Sequence, residues 1–428
     1  MRRRTFFLEL NHAQHLRFLF TKRTELRFFL RCSMRYVIVG GGVAGTTAAE
    51  ELRKLDPESE ITLICEEQHP LYSRVLLGVY VQGKVPRERT FLKKESWYEE
   101  KKIEWLRGVH VDALDTQNKF VALSDGRELS YDKLLISSGK EVRTVEYDQR
   151  GVMYFRTIDD ADHIIQLLAE QGKDACGGIY GGGFIACEFL NIYEAHNIRT
   201  VLTFRGEHFW NSNLLPEAGE LLLNHFRSKG VDVIAHAELK GLVGDKELEG
   251  FVTEQGEHPC TMLGIGVGIL SDFSWLEEAG VKIGVGVKAD KFLQTSVADV
   301  YVAGDISEFE DVYVGREMNV GTWLNAIMQG RVVAKNMTGE PTVFELVSSY
   351  AMNVLGIDII FVGDVAKSEA DDVHLVGSVR SGGVTQVFER GGRVVGGVMI
   401  NRNTDRKVIT DAVKSGMPVS DVLNKINT

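Results

Sequence analysis

The sequence contains one local pattern twice: a short apolar run, a glycine-rich turn, a helix-spaced segment and a second apolar run. The first copy spans residues 36–65, with its turn at 40–45, and the second spans residues 178–204, with its turn at 181–186. An apolar strand, a helix and another apolar strand form a βαβ unit, in which the two strands are parallel and the crossover is right-handed. The repeat therefore predicts two doubly wound α/β units in one chain.

The first turn indicates the kind of ligand. Residues 40–45 read GGGVAG, which has G-x-G-x-x-G spacing. In this pattern the first glycine permits a tight turn, the second lets a pyrophosphate approach the backbone, and the third lets helix and strand pack closely. The phosphates then face the N–H groups at the helix N-terminus. The residues predicted to bind a dinucleotide here are Gly40, Gly42, Val43, Ala44 and Gly45.

An acidic residue stands where a ribose-binding carboxylate is expected. Glu66 follows the second apolar run, 21 residues after Gly45. A carboxylate at this strand end can bind the ribose diol of a dinucleotide. Cys65 or Glu67 could take that place instead, because a strand end is uncertain by a residue or two.

The second turn reads GGGFIA, with Ala186 in place of the third glycine, which the pattern tolerates. The strand after it is followed by Arg205 rather than by an acid. An arginine at that position suits the 2′-phosphate of NADP, so it slightly favours NADPH. Alternatively, Arg205 is a solvated side chain and Glu207 binds the ribose. The residues predicted to bind the second nucleotide are Gly181, Gly183, Phe184, Ile185, Arg205 and Gly266.

Composition excludes several other classes of function. Lys plus Arg total 49 against 60 Asp plus Glu, a net charge of -11, which argues against a nucleic-acid partner. The five cysteines form neither a disulfide framework nor a metal cluster, so we predict no metal and a cytoplasmic location. No apolar run reaches the ~18 residues of a membrane helix.

Residues 1–33 differ from the rest of the chain, with eight basic and two acidic side chains. Met34 directly precedes the first apolar run. We therefore favour a start codon placed too early over a targeting segment, with a folded N-terminal helix third.

Several motifs together resemble the FAD- and NAD(P)-dependent pyridine nucleotide oxidoreductases. The segments that carry the resemblance are Val37–Gly45, Ser137–Gly139, Gly181–Glu188, Thr295–Asp305 and the W-x-x-A-x-x-Q-G pattern of Trp323–Gly330. Within that family, His69–Arg74 is similar to the rubredoxin and ferredoxin reductases and to the flavin part of nitrite reductase. The resemblance implies FAD on the first unit and NAD(P)H on the second.

The predicted fold class is α/β, with two Rossmann-like domains that bind FAD and NAD(P)H and a small C-terminal α+β domain. The predicted FAD-binding domain is discontinuous, comprising residues 34–145 and 271–340. The NAD(P)H-binding domain covers 146–270, the C-terminal domain covers 341–428, and residues 1–33 are an extra segment.

The resemblance also implies individual roles around FAD. Glu66 would bind the adenosine ribose, Arg74 the phosphates or flavin, and the Val111 backbone the adenine. Asp305 would bind the ribityl chain, and the helix from Trp323 would point at the flavin O2 edge. Ser138, Gly139 and Gly304 complete the predicted FAD contacts.

Glu188 is the predicted catalytic residue. In many relatives a glutamate at its position pairs with a lysine near flavin N5, but Val79 occupies the lysine position here. Lys84, a backbone group or water could be its partner instead. Glu188 could also be an ordinary residue of the helix surface.

These features predict an FAD-dependent NAD(P)H oxidoreductase. Since residues 66–175 contain no cysteine, thiol–disulfide chemistry at the flavin is not expected. The hydride would pass from nicotinamide C4 to flavin N5, and the electrons to an iron–sulfur or rubredoxin-type carrier or a small oxidant. The alternatives are an FAD-binding redox sensor, a flavin subunit of a nitrite reductase-like complex, and a membrane-surface quinone dehydrogenase. A homodimer is compatible with each. The short polar tail after Asp405 disfavours the quinone enzyme.

Overall fold

The computed structural model describes residues 33–172 and 175–426. The interpretation of residues 1–33 therefore lies outside the described residues, except for Ser33. Within the described ranges, no helix has the length and apolar character needed to cross a membrane.

The first unit opens with the predicted strand, glycine turn and helix. Its strands are β1 (Arg35–Val39), β2 (Glu60–Cys65), β3 (Ile103–Arg107), β4 (Val111–Asp115), β5 (Phe120–Leu123), β6 (Glu128–Ser130), β7 (Lys133–Ile136) and β8 (Glu141–Val142). Its helices are α1 (Val43–Leu55), α2 (Leu77–Val81) and α3 (Glu95–Glu100), with 3-10 turns at Arg74–Leu76 and Arg87–Thr90. Strands β4, β5 and β6 form a separate antiparallel sheet.

The second unit repeats the arrangement around a second parallel sheet of order β12-β11-β10-β16-β9. Its strands are β9 (Val152–Met153), β10 (Cys176–Tyr180), β11 (Arg199–Thr203), β12 (Asp232–Ile234), β13 (Gly241–Val243), β14 (Gly250–Thr253), β15 (Gly256–Pro259), β16 (Met262–Ile265) and β17 (Ile269–Leu270). Its helices are α4 (Ile158–Glu170), α5 (Phe184–Ala195) and α6 (Pro216–Ser228). Strands β13, β14 and β15 form an antiparallel sheet beside it.

The chain then returns to the first unit. The elements of this return are α7 (Ser274–Glu277), β18 (Val287–Ala289), β19 (Val300–Val302), β20 (Ser307–Asp311), β21 (Arg316–Met318) and α8 (Trp323–Met337). Strand β19 pairs in parallel with β7 and completes a sheet of order β19-β7-β1-β2-β3. Where the chain passes between the units, β8 and β17 pair as a two-stranded antiparallel ribbon. The predicted domain boundaries near 145 and 270 fall beside this ribbon and stay a prediction.

The C-terminal part is one antiparallel sheet of order β22-β23-β26-β25-β24 covered by two helices. Its elements are β22 (Ser349–Val354), β23 (Ile357–Gly363), a 3-10 turn (Lys367–Glu369), β24 (Asp372–Ser378), β25 (Gly383–Arg390), β26 (Arg393–Ile400), α9 (Asp405–Ser415) and α10 (Val419–Ile426). Two parallel α/β units followed by this α+β unit confirm the predicted fold class.

Close backbone approach determines where the first turn lies. A Cβ on Gly45 would overlap the Gly40 carbonyl oxygen and come within 2.6 Å of Ser137 Oγ. A Cβ on Gly330 would lie 2.5 Å from the Ala44 carbonyl oxygen, so α8 also packs directly on α1. Helices α1 and α8 are thereby held against the sheet, with the turn at the carboxyl ends of its strands.

This packing predicts a large loss of stability for one glycine variant and a small loss for another. Gly45→Ala should lower the free energy of unfolding by about 1–3 kcal/mol through overpacking, despite the higher helix propensity of alanine. Gly42→Ala should cost under about 0.5 kcal/mol, because its Cβ would meet nothing within 4 Å. Thermal unfolding of the ligand-free proteins, followed by far-UV circular dichroism, checks this. Equal melting temperatures for the two variants would contradict it.

Candidate active site

The first glycine turn has one open side. Gly40 has a φ of +107° and its N–H donates to the Ile64 carbonyl oxygen at 2.9 Å, which ties the turn to β2. Gly40 and Gly45 pack against backbone, whereas the Cβ direction of Gly42 is empty. The free N-terminus of α1, at Val43 and Ala44, lies directly after it. The turn therefore has both the room for a phosphate group and the free N–H groups that can bind it.

The structure distinguishes the three candidates at the end of β2. Cys65 is buried, its Sγ accepts a hydrogen bond from Trp105 Nε1 at 3.1 Å, and burial raises its pKa to about 12. Glu67 accepts hydrogen bonds from Tyr72 Oη at 2.5 Å and from Arg74 Nη2 at 2.6 Å. Glu66 is exposed and makes no hydrogen bond or ion pair within the described ranges. The geometry therefore favours Glu66 for a ribose.

A cluster of cations lies beyond the carboxyl ends of β7 and β19. Arg74 Nη1 donates to the Arg156 carbonyl oxygen at 2.9 Å, and the Arg156 guanidinium lies 3.6 Å from the Asp305 carboxylate. Lys140 Nζ donates to Asn319 Oδ1 at 2.6 Å, and Asn319 Nδ2 in turn donates to the Asp305 carbonyl oxygen at 3.0 Å. Arg74 and Asp305 are thus in one cluster, as the resemblance implies.

The cations Arg156 and Lys140 of this cluster are partly desolvated. Burial, followed by the neighbouring Arg74, lowers the pKa of Arg156. Burial likewise lowers the pKa of Lys140. For such a cation, the cost of desolvation exceeds the attraction of the nearby carboxylates. Binding an additional anion therefore stabilises its charged form. The cluster therefore fits a bound phosphate or another electron-rich group.

A buried amide adds a free donor near the first turn. Gln329 Oε1 accepts hydrogen bonds from the Gly304 N–H at 2.6 Å and from Ser307 Oγ at 3.1 Å. Its Nε2 is buried and has no hydrogen-bond partner within the part of the chain that the structure describes. A Cβ on Gly304 would lie 3.2 Å from Ala44 Cβ, so this region adjoins the N-terminus of α1. A ligand at the turn could accept from Gln329.

The remaining residues predicted for the first site occupy the same sheet edge or its neighbouring sheet. Gly139 has a φ of +76°, and a Cβ there would lie 3.3 Å from Arg156 Nη2. Trp323 begins α8, whose N-cap Thr322 accepts a hydrogen bond from the Asn325 N–H at 3.3 Å. Ser138 is exposed, and Val111 is half-buried at the start of β4.

The second turn lies against the end of β16 and is flanked by aromatic side chains. A Cβ on Gly181 would overlap the Gly266 carbonyl oxygen, and a Cβ on Gly266 would lie 2.9 Å from Ile185 Cβ. Phe184 begins α5 and keeps 43% of its surface exposed. The aromatic rings around it are Trp210, Tyr350 and Phe361, at centroid distances of 5.1, 4.9 and 5.4 Å. The C-terminal sheet therefore contributes two side chains next to this turn.

Both candidates for recognising the second nucleotide's ribose are exposed beyond β11. Arg205 keeps 68% of its side chain exposed, and its guanidinium comes no closer than 3.9 Å to Glu238. Glu207 is exposed two residues later. Each side chain is accessible to a ligand.

Glu188 lies where the two units touch. It is on α5, and a Cβ on Gly78 of α2 would overlap its Oε2 atom. Within residues 33–172 and 175–426 it makes no hydrogen bond or ion pair, and burial raises its pKa to about 7. Lys84 does not reach it, because the Lys84 Nζ donates to Gln82 Oε1 at 2.6 Å. Glu188 is therefore a half-buried carboxyl group at the contact between the units, without a hydrogen-bond or ion-pair partner among the described residues.

Four cysteines lie in the described ranges, and all are free thiols. Burial raises the pKa of Cys65 and of Cys260 to about 12 and raises that of Cys187 well above its usual value. A protonated, buried thiol is a poor nucleophile.

One group outside this region has metal-ligating side chains. Asp372, His374 and Glu389 come together on β24 and β25. His374 Nε2 already lies 2.6 Å from Glu389 Oε2, as a hydrogen-bonded pair. We propose no metal ion there.

Sequence reasoning missed Arg156, Lys140 and the free amide of Gln329. Gln329 lies within the quoted W-x-x-A-x-x-Q-G pattern, which could have identified it. Arg156 precedes the capping box that Thr157 and Asp160 form at the start of α4, but a single basic residue there has no recognisable signature.

Comparison with known proteins identifies the family to which this chain belongs. The sequence profile of the pyridine nucleotide-disulphide oxidoreductases matches residues 34–330. The nitrite reductase [NAD(P)H] of Bacillus subtilis (strain 168) is 26% identical over 396 residues, which cover 90% of this chain and 48% of that protein. This chain thus spans about half the length of that relative.

A second relative matches over nearly its whole length. The ferredoxin–NAD(+) reductase component of the p-cumate 2,3-dioxygenase system of Pseudomonas putida is 28% identical over 385 residues, 89% of this chain and 93% of that protein. A chain in the crystal structure of the covalent putidaredoxin reductase–putidaredoxin complex has the same fold, with a TM-score of 0.85 and 24% identity over 92% of this chain and 96% of that one. The chain belongs to the pyridine nucleotide-disulphide oxidoreductase family, whose proteins use FAD and NAD(P)H.

Proposed function

We propose that this protein is a reductase that takes electrons from NAD(P)H and passes them through FAD to an iron–sulfur carrier protein of the ferredoxin or rubredoxin kind. The observation that carries this proposal is the contact between Glu188 and Gly78, which joins the two nucleotide-binding units beside an unpaired carboxyl group. The names of the relatives support the carrier, since they include ferredoxin and rubredoxin reductases. A small oxidant is the alternative acceptor.

The residues of the first unit fit FAD. The open face at Gly42 and the N-terminus of α1 would hold its pyrophosphate, and Glu66 its adenosine ribose. Arg156 and Lys140 lie at the same edge, and burial lowers the pKa of both side chains despite the nearby carboxylates. When bound, FAD supplies the chemistry of hydride acceptance and of single-electron release.

The residues of the second unit fit NAD(P)H. The backbone of the second glycine turn and the N-terminus of α5 would hold the phosphates. Gly266 directly follows β16 and packs so closely against Ile185 that a side chain at position 266 would clash with the turn. Arg205 and Glu207 face solvent where the adenosine ribose would lie.

Glu188 would act as a neutral carboxylic acid. Because burial raises its pKa to about 7, a large share of the side chain holds a proton on its carboxyl group at neutral pH. A protonated carboxyl donates one hydrogen bond and accepts others. In this state Glu188 can orient a polar group of the nicotinamide without a lysine partner.

We further propose that the reductase works without a redox-active disulfide. Supporting this, the segment 66–175, which contains α2 and the loops around it, has no cysteine. The buried Cys65, Cys187 and Cys260 thiols are protonated at neutral pH.

A second candidate is the flavin component of a larger nitrite-reducing assembly. Its support is the similarity to half of the Bacillus subtilis nitrite reductase. It would need a separate subunit for the remaining electron transfer, and copurification of such a subunit distinguishes it from the first proposal.

Anaerobic rapid mixing of the purified flavoprotein with NADH or NADPH tests the proposal. We expect fast bleaching of the flavin absorbance by at least one nucleotide. Slow bleaching by both, with a nucleotide-dependent change in oligomer size, would support a redox sensor that dimerises instead. A protein that cannot be reconstituted with FAD would contradict the whole assignment.

The role of Arg205 is tested by comparing two neighbouring variants. If Arg205 binds the 2′-phosphate, Arg205→Ala should raise the KM for NADPH about tenfold or more through loss of a charge-assisted hydrogen bond. In the same variant the KM for NADH should stay within about twofold of the wild-type value. In Glu207→Ala the KM values for NADH and for NADPH should both stay within about twofold of the wild type. The opposite pattern, in which only Glu207→Ala raises the KM for NADH, would assign ribose binding to Glu207.

The half-buried Glu188 predicts a stability that depends on pH. Because its pKa is raised to about 7 on folding, the folded protein binds a proton that the unfolded chain has released. Stability therefore falls as pH rises from about 4.5 to about 7, and the loss is complete above that range. Glu188→Gln should raise the melting temperature at pH 8 and have little effect at pH 4.5.

Glu194→Gln is the matched control, because Glu194 is exposed on the same helix. It should leave the melting temperature unchanged at both pH values. A Glu188→Gln variant with the melting temperature of the wild type at pH 8 would contradict the half-buried, unpaired state of this carboxyl.

A further inference from the structure

The loop after β11 folds back onto the second glycine turn. The backbone N–H of Trp210 donates to the Gly182 carbonyl oxygen at 3.0 Å. Trp210 has a φ of +50°, in the left-handed region that bulky residues rarely adopt. Such a conformation persists only where the surroundings enforce it. The fold therefore places this tryptophan at the turn at a cost in backbone energy.

The indole N–H of Trp210 has no partner. The residue is only 6% exposed, and its Nε1 has no hydrogen-bond acceptor within the described ranges. A buried indole N–H normally finds an acceptor, and leaving a buried donor unpaired is unfavourable. The structure thus holds a desolvated donor that a ligand could satisfy.

This donor borders the ligand-binding face of the turn. The atom closest to a Cβ built on Gly183 is Trp210 Nε1, at 3.8 Å, with no other atom within 4 Å. Gly42 holds the same place in the first turn, and no atom lies within 4 Å of its Cβ position. The two turns therefore differ in that the second has a side-chain donor at the place where a pyrophosphate approaches the backbone.

The C-terminal sheet holds this donor in position. The Trp210 ring packs against Phe361 of β23, with a centroid distance of 5.2 Å. The loop is also tied to Gln386 of β25, which accepts from the Leu215 N–H at 2.7 Å and donates to the Asn213 carbonyl oxygen at 3.0 Å. The indole is consequently fixed before any ligand arrives, which reduces the entropy lost on binding.

We propose that the indole N–H of Trp210 donates a hydrogen bond to a phosphate oxygen of the pyridine nucleotide on the second turn. This rests on the proposed binding of NAD(P)H by the second unit. The N–H groups and dipole at the N-terminus of α5 attract the anion, and Trp210 adds a neutral side-chain donor next to Gly183. Trp210 then recognises the pyrophosphate and not the base.

The test is calorimetric binding to the oxidised flavoprotein with two probes, ADP-ribose and adenosine. ADP-ribose carries the pyrophosphate without the redox-active ring, and adenosine lacks phosphate. Trp210→Phe keeps an aromatic ring and removes the donor. We expect it to weaken ADP-ribose binding about tenfold or more, as for a lost hydrogen bond to a charged group. Adenosine binding should be unchanged.

Trp275→Phe is the matched control, because Trp275 is a half-buried tryptophan on α7 of the first unit. It should bind both probes like the wild type. Equal ADP-ribose affinity of Trp210→Phe and the wild type would overturn the inference, as would an equal loss of affinity for both probes. A wild-type protein that neither binds ADP-ribose nor is reduced by NADH or NADPH would instead refute the proposed function.

A measurement on the wild type keeps the inference testable if Trp210→Phe does not fold. The chain has five tryptophans, so nitrogen-15 labelling gives five indole N–H signals. One of them should move downfield with ADP-ribose and not with adenosine. The absence of any such shift would overturn the inference.

Discussion

The contact between the Gly45 position and the Gly40 carbonyl oxygen is the constraint on which the first site depends. It leaves no room for a side chain, so α1 lies directly on the sheet and its N-terminus meets the carboxyl ends of β1 and β7. Helix α8 then packs on Ala44 through Gly330 and brings Gln329 to the same edge. Larger residues at these glycines would move both helices and the polar groups that they carry.

The candidate site is marked by polar groups that the protein itself leaves unsatisfied. Arg156 is desolvated and lies beside another guanidinium. Within the part of the chain that the structure describes, the Gln329 amide has a free donor and Glu188 has no cation partner. Each of these groups is unfavourable by itself and is stabilised by a polar ligand beside it. These groups stand at the first turn or at the contact between the units, where the chemistry requires two cofactors to meet.

The sequence was sufficient to predict the parallel units because strand periodicity and glycine spacing are local. It placed Glu66 next to the end of β2, but could not separate it from Cys65 and Glu67 as the candidate for the ribose. That distinction depends on Trp105 and Arg74, which are distant in the chain. Strand β22 was not predicted, because it is half-exposed and lacks a clear alternation. The cations Arg156 and Lys140 are brought together only by the tertiary fold.

The ribbon formed by β8 and β17 bears on whether the second unit can be removed from this chain or replaced. The second unit leaves and re-enters the first through two strands that are hydrogen-bonded neighbours. Its two ends therefore lie side by side, as they do in domains that tolerate insertion or excision. Removing it and closing the gap with a short turn would preserve the strand order of the first sheet. A different module joined there would have to cover Tyr72, Leu77 and Val81 of the first unit, which are buried in one cluster with residues of the second unit.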